Sequence, residues 1–223
     1  MTAVYGIVGA GGYGREVMPL ARAQLKDALS SGAAKLYFVV EGDVEHDLIN
    51  DYPVVSLETF LNFPGDRFFN IAIGASSARE RISSICEEAG AAAFSIVAQN
   101  AVILDCNEIA EGAVLSPFVT ITSNAKIGRH FHANLYAYVA HDCIIGDYVT
   151  FAPSAKCNGN VTIEDHAYIG TGASIIQGKQ GKPLVIGRGA IVGMGAVVTK
   201  SVPAGVTVIG NPARPLTREG LKK

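Results

Sequence analysis

His141 and Asp142 stand side by side in "VAHDCIIGDYVTFAPSAKCNGN", residues 139–160, among small and aliphatic neighbours. An imidazole titrates near neutrality, and a carboxylate on its other nitrogen fixes the tautomer and stabilises the imidazolium. The pair has the composition of a general base with a supporting acid. A solvated turn histidine beside an external polar ladder has the same composition, and position alone leaves both readings open. A second chemistry-bearing pattern lies at the start, where Gly9, Gly11 and Gly14 form GxGxxG in "GAGGYGREV". Glycines there allow a tight turn and close backbone approach, and the following helix N-terminus favours an anion. His130 and His132 are two apart and would share one face of a strand, which is metal-pair spacing; they read rather as surface or subunit-interface residues. His166 occupies the same hexad place as His130 and reads as exposed. His46 falls in a loop.

The elements that position the glycines are short. Val4, Tyr5, Ile7 and Val8 predict a strand running into the glycine turn and then a helix. "KLYFVVEG" predicts a second strand with Glu41 near its end, where a ribose-binding acid commonly sits, followed by Gly42. "FFNIAIGASSARERISSICEEAG" predicts a strand, a turn at Gly74 and a helix opened by a Ser77/Glu80 capping box. The result is a small Rossmann-like βαβαβ domain over residues 1–95, with room for one nucleotide rather than two.

From Val97 the chain changes rhythm. Every sixth residue to Ile175 is apolar, and four places on from Ile109 the residues are again apolar and mostly small: Ala113, Val119, Ala125, Phe131, Ala137 and onward. "QGKQGKPL" inserts five residues, after which Ile186, Val192 and Val198 resume the beat. A period of six describes a short strand plus a turn, and three such units close one triangular coil. Coils stack at roughly 4.8 Å, large aliphatics pointing inward and small residues filling the corners. Residues 96–223 therefore form a parallel β-helix and a C-terminal tail. Stacking places Ser123 and Gly159 either side of His141, and Asn124 and Asn160 either side of Asp142. A glycine over the histidine would leave room for a thin ligand arm.

With a net charge of −2 and no dense Lys/Arg tract, nucleic acid and anionic membrane are poor partners. No segment approaches the roughly 18 apolar residues of a membrane span. "MTAVYGIVGAGG" lacks the cationic flank of a secretion signal. Cys86, Cys106, Cys143 and Cys157 have no metal-type spacing and read as free buried thiols in a reducing cytoplasm.

The chain resembles the hexapeptide-repeat sugar acyltransferases with a Rossmann-like N-terminal domain, a family of sialic acid O-acetyltransferases and nucleotide-linked 4-amino-sugar N-acetyltransferases. The resemblance rests on "GAGGYGREV", "IAIG" at 71–74, the hexads, "AHDCIIGD" at 140–147 and "VIGNPAR" at 208–214. It implies a left-handed β-helix, a homotrimer with active sites between subunits, acetyl-CoA as co-substrate and no metal. It also implies His141 as catalytic base with Asp142 supporting it. The nucleotide sugar would meet Gly9, Ala10, Gly11, Gly12, Tyr13, Glu41, Gly42 and Gly74, with Asn134 near the acceptor sugar or merely turning a corner. Acetyl-CoA would meet Thr150, Gly159, Thr171, Met194, Lys200 and Arg214. Tyr13 and Thr150 stand where some relatives carry histidine. Met194 falls about 2.7 coils beyond His141, or roughly 13 Å.

The expected activity is acetyl-CoA-dependent N-acetylation of a nucleotide-linked amino sugar of the 4-amino-4,6-dideoxy type, by direct transfer in a cytoplasmic enzyme. The residues do not separate this from sugar O-acetylation. Cys143 occupies a core-directed position and reads as packing, not as an acyl acceptor. A zinc carbonic anhydrase on the same solenoid needs three convergent histidines including a pair five apart, which this chain lacks. A non-catalytic scaffold is the remaining alternative.

Overall fold

The computed structural model describes residues 2–216 and divides them into two compact units. One runs to Gln99 and takes in Glu111–Val114; the other comprises Asn100–Ala110 and the chain from Leu115 on.

In the first unit, β1 (Ala3–Val8), β2 (Ala34–Val40), β3 (Leu48–Ile49), β4 (Tyr52–Ser56), β5 (Arg67–Ile71) and β6 (Ala92–Ala93) form one sheet in the order β3-β4-β2-β1-β5-β6. All pairings are parallel except β3–β4. The β-branched and aromatic runs seen in the sequence become strands buried on both sheet faces, as parallel sheets require. Helix α1 (Gly12–Gln24) contributes Val17, Met18 and Ala21 to one core, against Ile7, Leu36 and Phe38. Helix α4 (Ser76–Glu88), which follows α2 (Lys26–Ser30) and α3 (Leu57–Leu61), contributes Ile82 and Cys86 to the other, against Val8, Phe60 and Phe69. Strand order reverses between β1 and β5, so the crevice beyond their C-terminal ends is the position where ligands bind in open α/β sheets. The expected Ser77/Glu80 capping box does not form: α4 begins earlier, with Ala75 at its N-cap and no side-chain cap. That start is held instead by buried Arg79, whose Nη1 donates to the Ile73 and Gly74 carbonyls at 3.0 and 2.9 Å.

The second unit is a parallel solenoid with three faces. Face 1 carries His132–Ala133, Thr150–Phe151, Tyr168–Ile169, Ile191–Val192 and Thr207–Ile209. Face 2 carries Thr120–Ile121, Tyr138–Val139, Lys156–Cys157, Ser174–Ile175 and Val197–Val198. Face 3 carries Lys126–Ile127, Ile144–Ile145, Val161–Ile163 and Leu184–Ile186. The six-residue beat maps directly onto burial: Ile121, Val139, Ile145, Phe151, Ile163, Ile169 and Ile175 are all buried, each worth about 1.5–3 kcal/mol of transfer free energy. Ile103, in the end coil with nothing stacked beyond it, stays 40% exposed. The five-residue insertion appears as a register jump, Cys157↔Ile175 being 18 apart but Ile175↔Val198 being 23. A shorter last step, Val192↔Val208, was not visible in the pattern.

Each corner needs one residue in the left-handed region. Positive φ recurs every six residues from Phe118 to His166, with Asn124, Asp142 and Asn160 on one edge. Asn and Asp tolerate that conformation. The bulkier occupants stack along the other edges: Phe118 on Tyr136 at 4.9 Å, and His130, Tyr148 and His166 at successive 5.3 Å separations. His130 and His132 are both buried, not the surface or subunit-interface residues expected, and His166 is half-buried. Of the cysteines, Cys86, Cys143 and Cys157 are buried as expected, while Cys106 is exposed.

Candidate functional site

The edge between faces 2 and 3 carries the histidine. Successive side chains of an extended strand point to opposite sides, so neighbours i and i+1 do not normally meet. The turn overrides this. Asp142 has φ 58°, which folds its carboxylate back, and Oδ2 lies 2.7 Å from His141 Nδ1. Both side chains are about half exposed, at 47% and 48%, and Asp142 is the only hydrogen-bonding partner of the imidazole among the described residues. Nε2 makes no hydrogen bond among the described residues. The stacking expected from the sequence holds: Asp142 N donates to Ser123 O at 3.0 Å and Asn160 N to His141 O at 3.1 Å.

Gly159 lies over the ring, as predicted, and the imidazole packs against it where a side chain would otherwise stand. A Cβ there would fall 2.4 Å from His141 Cε1 and 2.5 Å from Nε2, because the imidazole itself occupies the space. Cys143 and Cys157 pack behind this corner with their sulfurs 3.9 Å apart. Their shared hydrogen bond and burial push the Cys157 thiol well up, while the same bond holds the Cys143 thiol below its ordinary range. Burial likewise pushes Cys86 up to about 12.

Register sorts the remaining solenoid residues by edge. The pairings Val139↔Cys157↔Ile175↔Val198 align His141 with Gly159, Gln177 and Lys200. Lys200, not Met194, thus shares the histidine's edge, three coils on or roughly 14 Å away. Thr171 and Met194 stack on each other along the edge between faces 1 and 2, Met194 being 79% exposed. Asn134 lies on that same edge, its Nδ2 donating to Phe151 O at 3.0 Å, so it supports the corner of the next coil. Thr150 lies on face 1 and is 5% exposed; it offers a ligand almost no surface, contrary to the expectation. Lys200 and Arg214 do come together, lining one cavity of about 430 Å³ with Thr199, Ser201 and Pro215. Arg214 reaches it because the strand Arg214–Pro215 turns back antiparallel to Thr207–Ile209.

In the α/β unit the glycines have distinct jobs. A Cβ on Gly14 would sit 1.9 Å from Gly9 O, so helix and strand can approach only through glycine. Added Cβ atoms on Gly11 and Gly12 meet nothing within 4 Å, and α1 has no side-chain cap. Beside this loop is a cavity of about 290 Å³ lined by Ala10, Val40, Asp43, Glu45, His46 and Ile49. Gly42 lines another of about 410 Å³. Tyr13 is half-buried against the α1 core. Glu41 follows β2 as expected, but both oxygens accept from Arg81 of α4 at 2.8 Å. That hydrogen bond holds the Glu41 carboxyl below, and the Arg81 guanidinium above, their ordinary ranges. Sequence reading missed Arg79, Arg81 and His46. Helix spacing carries no signal for the partners of the two arginines, and only the folded loop brings His46 beside Ala10.

A solenoid edge presenting a histidine–carboxylate pair, in a chain that also carries a glycine-loop α/β unit, defines the class of hexapeptide-repeat acyltransferases. The comparisons narrow the class. No family model matches the chain. It is 52% identical over 216 residues to a GDP-perosamine N-acetyltransferase of Escherichia coli O157:H7, covering 96% of this chain and 97% of that one. WeeI from Acinetobacter baumannii AYE superposes with a TM-score of 0.92 at 56% identity, over 96% of this chain and all of that one. The acetyltransferase domain of PglB from Neisseria gonorrhoeae FA1090, solved in complex with acetyl coenzyme A, gives 0.83 at 28% identity, over 97% of this chain and all of that one. The chain belongs to the left-handed β-helix family of acetyl-CoA-dependent nucleotide-aminosugar N-acetyltransferases.

Proposed function

We propose that the protein acetylates the amino group of GDP-perosamine, or a GDP-linked amino sugar of the same type, with His141 as general base. The observation that carries this is the 2.7 Å contact of His141 Nδ1 with Asp142 on a half-exposed edge, with no hydrogen bond to Nε2 among the described residues. The relative's substrate and the 52% identity over nearly the whole chain support the choice of nucleotide and sugar. The sugar amine adds to the thioester carbonyl carbon of acetyl-CoA as Nε2 takes its proton. The C–S bond then breaks, and the thiolate of coenzyme A leaves with a proton from the imidazolium. Asp142 holds the tautomer in which Nε2 is the acceptor and stabilises the cation that forms.

The glycine loop, with the uncapped N-terminus of α1, binds the diphosphate through backbone amides. Lys200 and Arg214 hold phosphate groups of acetyl-CoA as charged donors. The active enzyme is a cytoplasmic homotrimer with its sites between subunits. Edge assignment supports this: Asn134, Thr171 and Met194 are separated from His141 by a whole face of strands, so a ligand touching both sets needs edges from two chains. Among the described residues no helix is long and apolar enough to cross a membrane. A thiol-release assay with acetyl-CoA against GDP-, UDP- and dTDP-linked 4-amino sugars tests the reading. Turnover should be highest with GDP-perosamine, and His141→Ala should lose about 10²–10⁴ in rate while remaining trimeric. Near-normal turnover in that variant removes the mechanism.

A further inference from the structure

The carboxylate that supports the base is itself held from the coil below. Asp142 Oδ2 faces His141 Nδ1, and its other oxygen, Oδ1, accepts a hydrogen bond from Asn124 Nδ2 at 3.3 Å. The register Ile121↔Val139 places Asn124 directly under Asp142. Both residues occupy the left-handed corner conformation, at φ 60° and 58°, so their side chains leave the backbone in the same direction. The bond from Asp142 N to Ser123 O fixes the spacing between the two turns. Asn160 repeats the conformation one coil above, at φ 57°, but its side chain makes no hydrogen bond among the described residues. The carboxylate is therefore oriented from one side only.

We propose that Asn124 is a positioning residue for acetyl transfer, its amide locking the Asp142 carboxylate so that Oδ2 stays on His141 Nδ1. The role rests on the reading of His141 as base. A carboxylate that is half exposed can rotate about its terminal bond, and water competes for both oxygens. An amide donor on Oδ1 removes that freedom and leaves Oδ2 for the imidazole. Asn124 acts on the reaction only through Asp142; it touches neither the ring nor Nε2. A purely structural asparagine, present because the corner needs positive φ, would contribute to stability and not to turnover.

Two variants separate these roles without straining the corner. Asn124→Gly accepts φ 60° and deletes the donor. Asn124→Asp accepts the conformation and is isosteric, but presents an anionic acceptor to Asp142. The thiol-release assay should show kcat down about tenfold in Asn124→Gly and further in Asn124→Asp, the size expected for losing a hydrogen bond to a charged group. KM for both substrates should stay within about twofold, since binding is not the interaction removed. In an Asp142→Ala background the Asn124→Gly loss should disappear, because the residue it acts through is gone. Unchanged kcat in both variants overturns the proposal, as does a loss that adds in full to that of Asp142→Ala or appears only in KM. His141→Ala separates the two levels of the argument. If it is inactive while the Asn124 variants turn over normally, the base reading stands and this proposal fails; if it is fully active, the base reading itself fails.

Discussion

Replacing Gly159 by alanine adds one methyl group and tests whether the histidine's placement depends on the coil above it. The new Cβ would stand 2.4 Å from His141 Cε1, 2.5 Å from Nε2 and 2.9 Å from Nδ1. Carbon contacts are comfortable at about 3.5–4.0 Å, so something must yield by about 1 Å or more. The backbone resists, since Gly159 O accepts from Gly178 N at 2.9 Å and Asn160 N donates to His141 O at 3.1 Å. Gly159 is not in the left-handed region, so alanine meets no conformational penalty of its own. The ring is left to move, and being half exposed it can swing outward. Leaving its rotamer costs about 0.5–1.5 kcal/mol, so the melting temperature should shift little. Catalysis should suffer far more, because the swing breaks the 2.7 Å contact with Asp142. A displacement of about 1 Å can cost about 10²-fold, and complete loss of the base about 10²–10⁴-fold. The assay is thiol release at saturating acetyl-CoA and nucleotide sugar, run beside His141→Ala. A wild-type kcat in Gly159→Ala would refute the reasoning. A loss confined to KM for acetyl-CoA would instead support the expectation that this glycine makes room for a ligand arm.

Lys200→Ala and Arg214→Ala should each raise KM for acetyl-CoA about 3–10-fold with kcat unchanged, and the defect should shrink as salt is added; initial-rate kinetics at two ionic strengths check both. The Glu41–Arg81 pair predicts a pH effect of defined sign. The Glu41 carboxyl titrates lower in the folded state than in the unfolded chain, so its stabilising contribution is present above the ordinary carboxylate value of 4.5 and is lost as pH falls through the lowered folded value. Denaturant unfolding of wild type and Arg81→Ala, compared at neutral pH and at a series of pH values below 4.5, should converge as the pH falls; divergence would contradict the assignment.

The sequence alone determined the solenoid. Its six-residue beat is a local property repeated many times, and stacking converts one-dimensional repetition into three-dimensional register. The five-residue insertion and the vertical neighbours Ser123, His141 and Gly159 follow by counting. The glycine loop was legible for the same reason, its strand, turn and helix being contiguous in the chain. What the tertiary structure decided lies across coils and in rotamers. Counting gave the height of Met194 above His141 but not its edge: the prism puts Lys200 on the histidine's edge and Met194 on another, because a residue's edge depends on its phase within the eighteen-residue coil as well as its height. Counting placed Gly159 over the histidine but could not say whether ligand or imidazole fills the gap. The meeting of Lys200 with Arg214, the hold of Arg81 on Glu41 and the burial of His130, His132 and Thr150 involve residues distant along the chain or surroundings outside their own repeat. Hydrophobic periodicity reports which way a side chain points from its own strand; what it meets there is set by the packing of elements whose order in the sequence carries no distance.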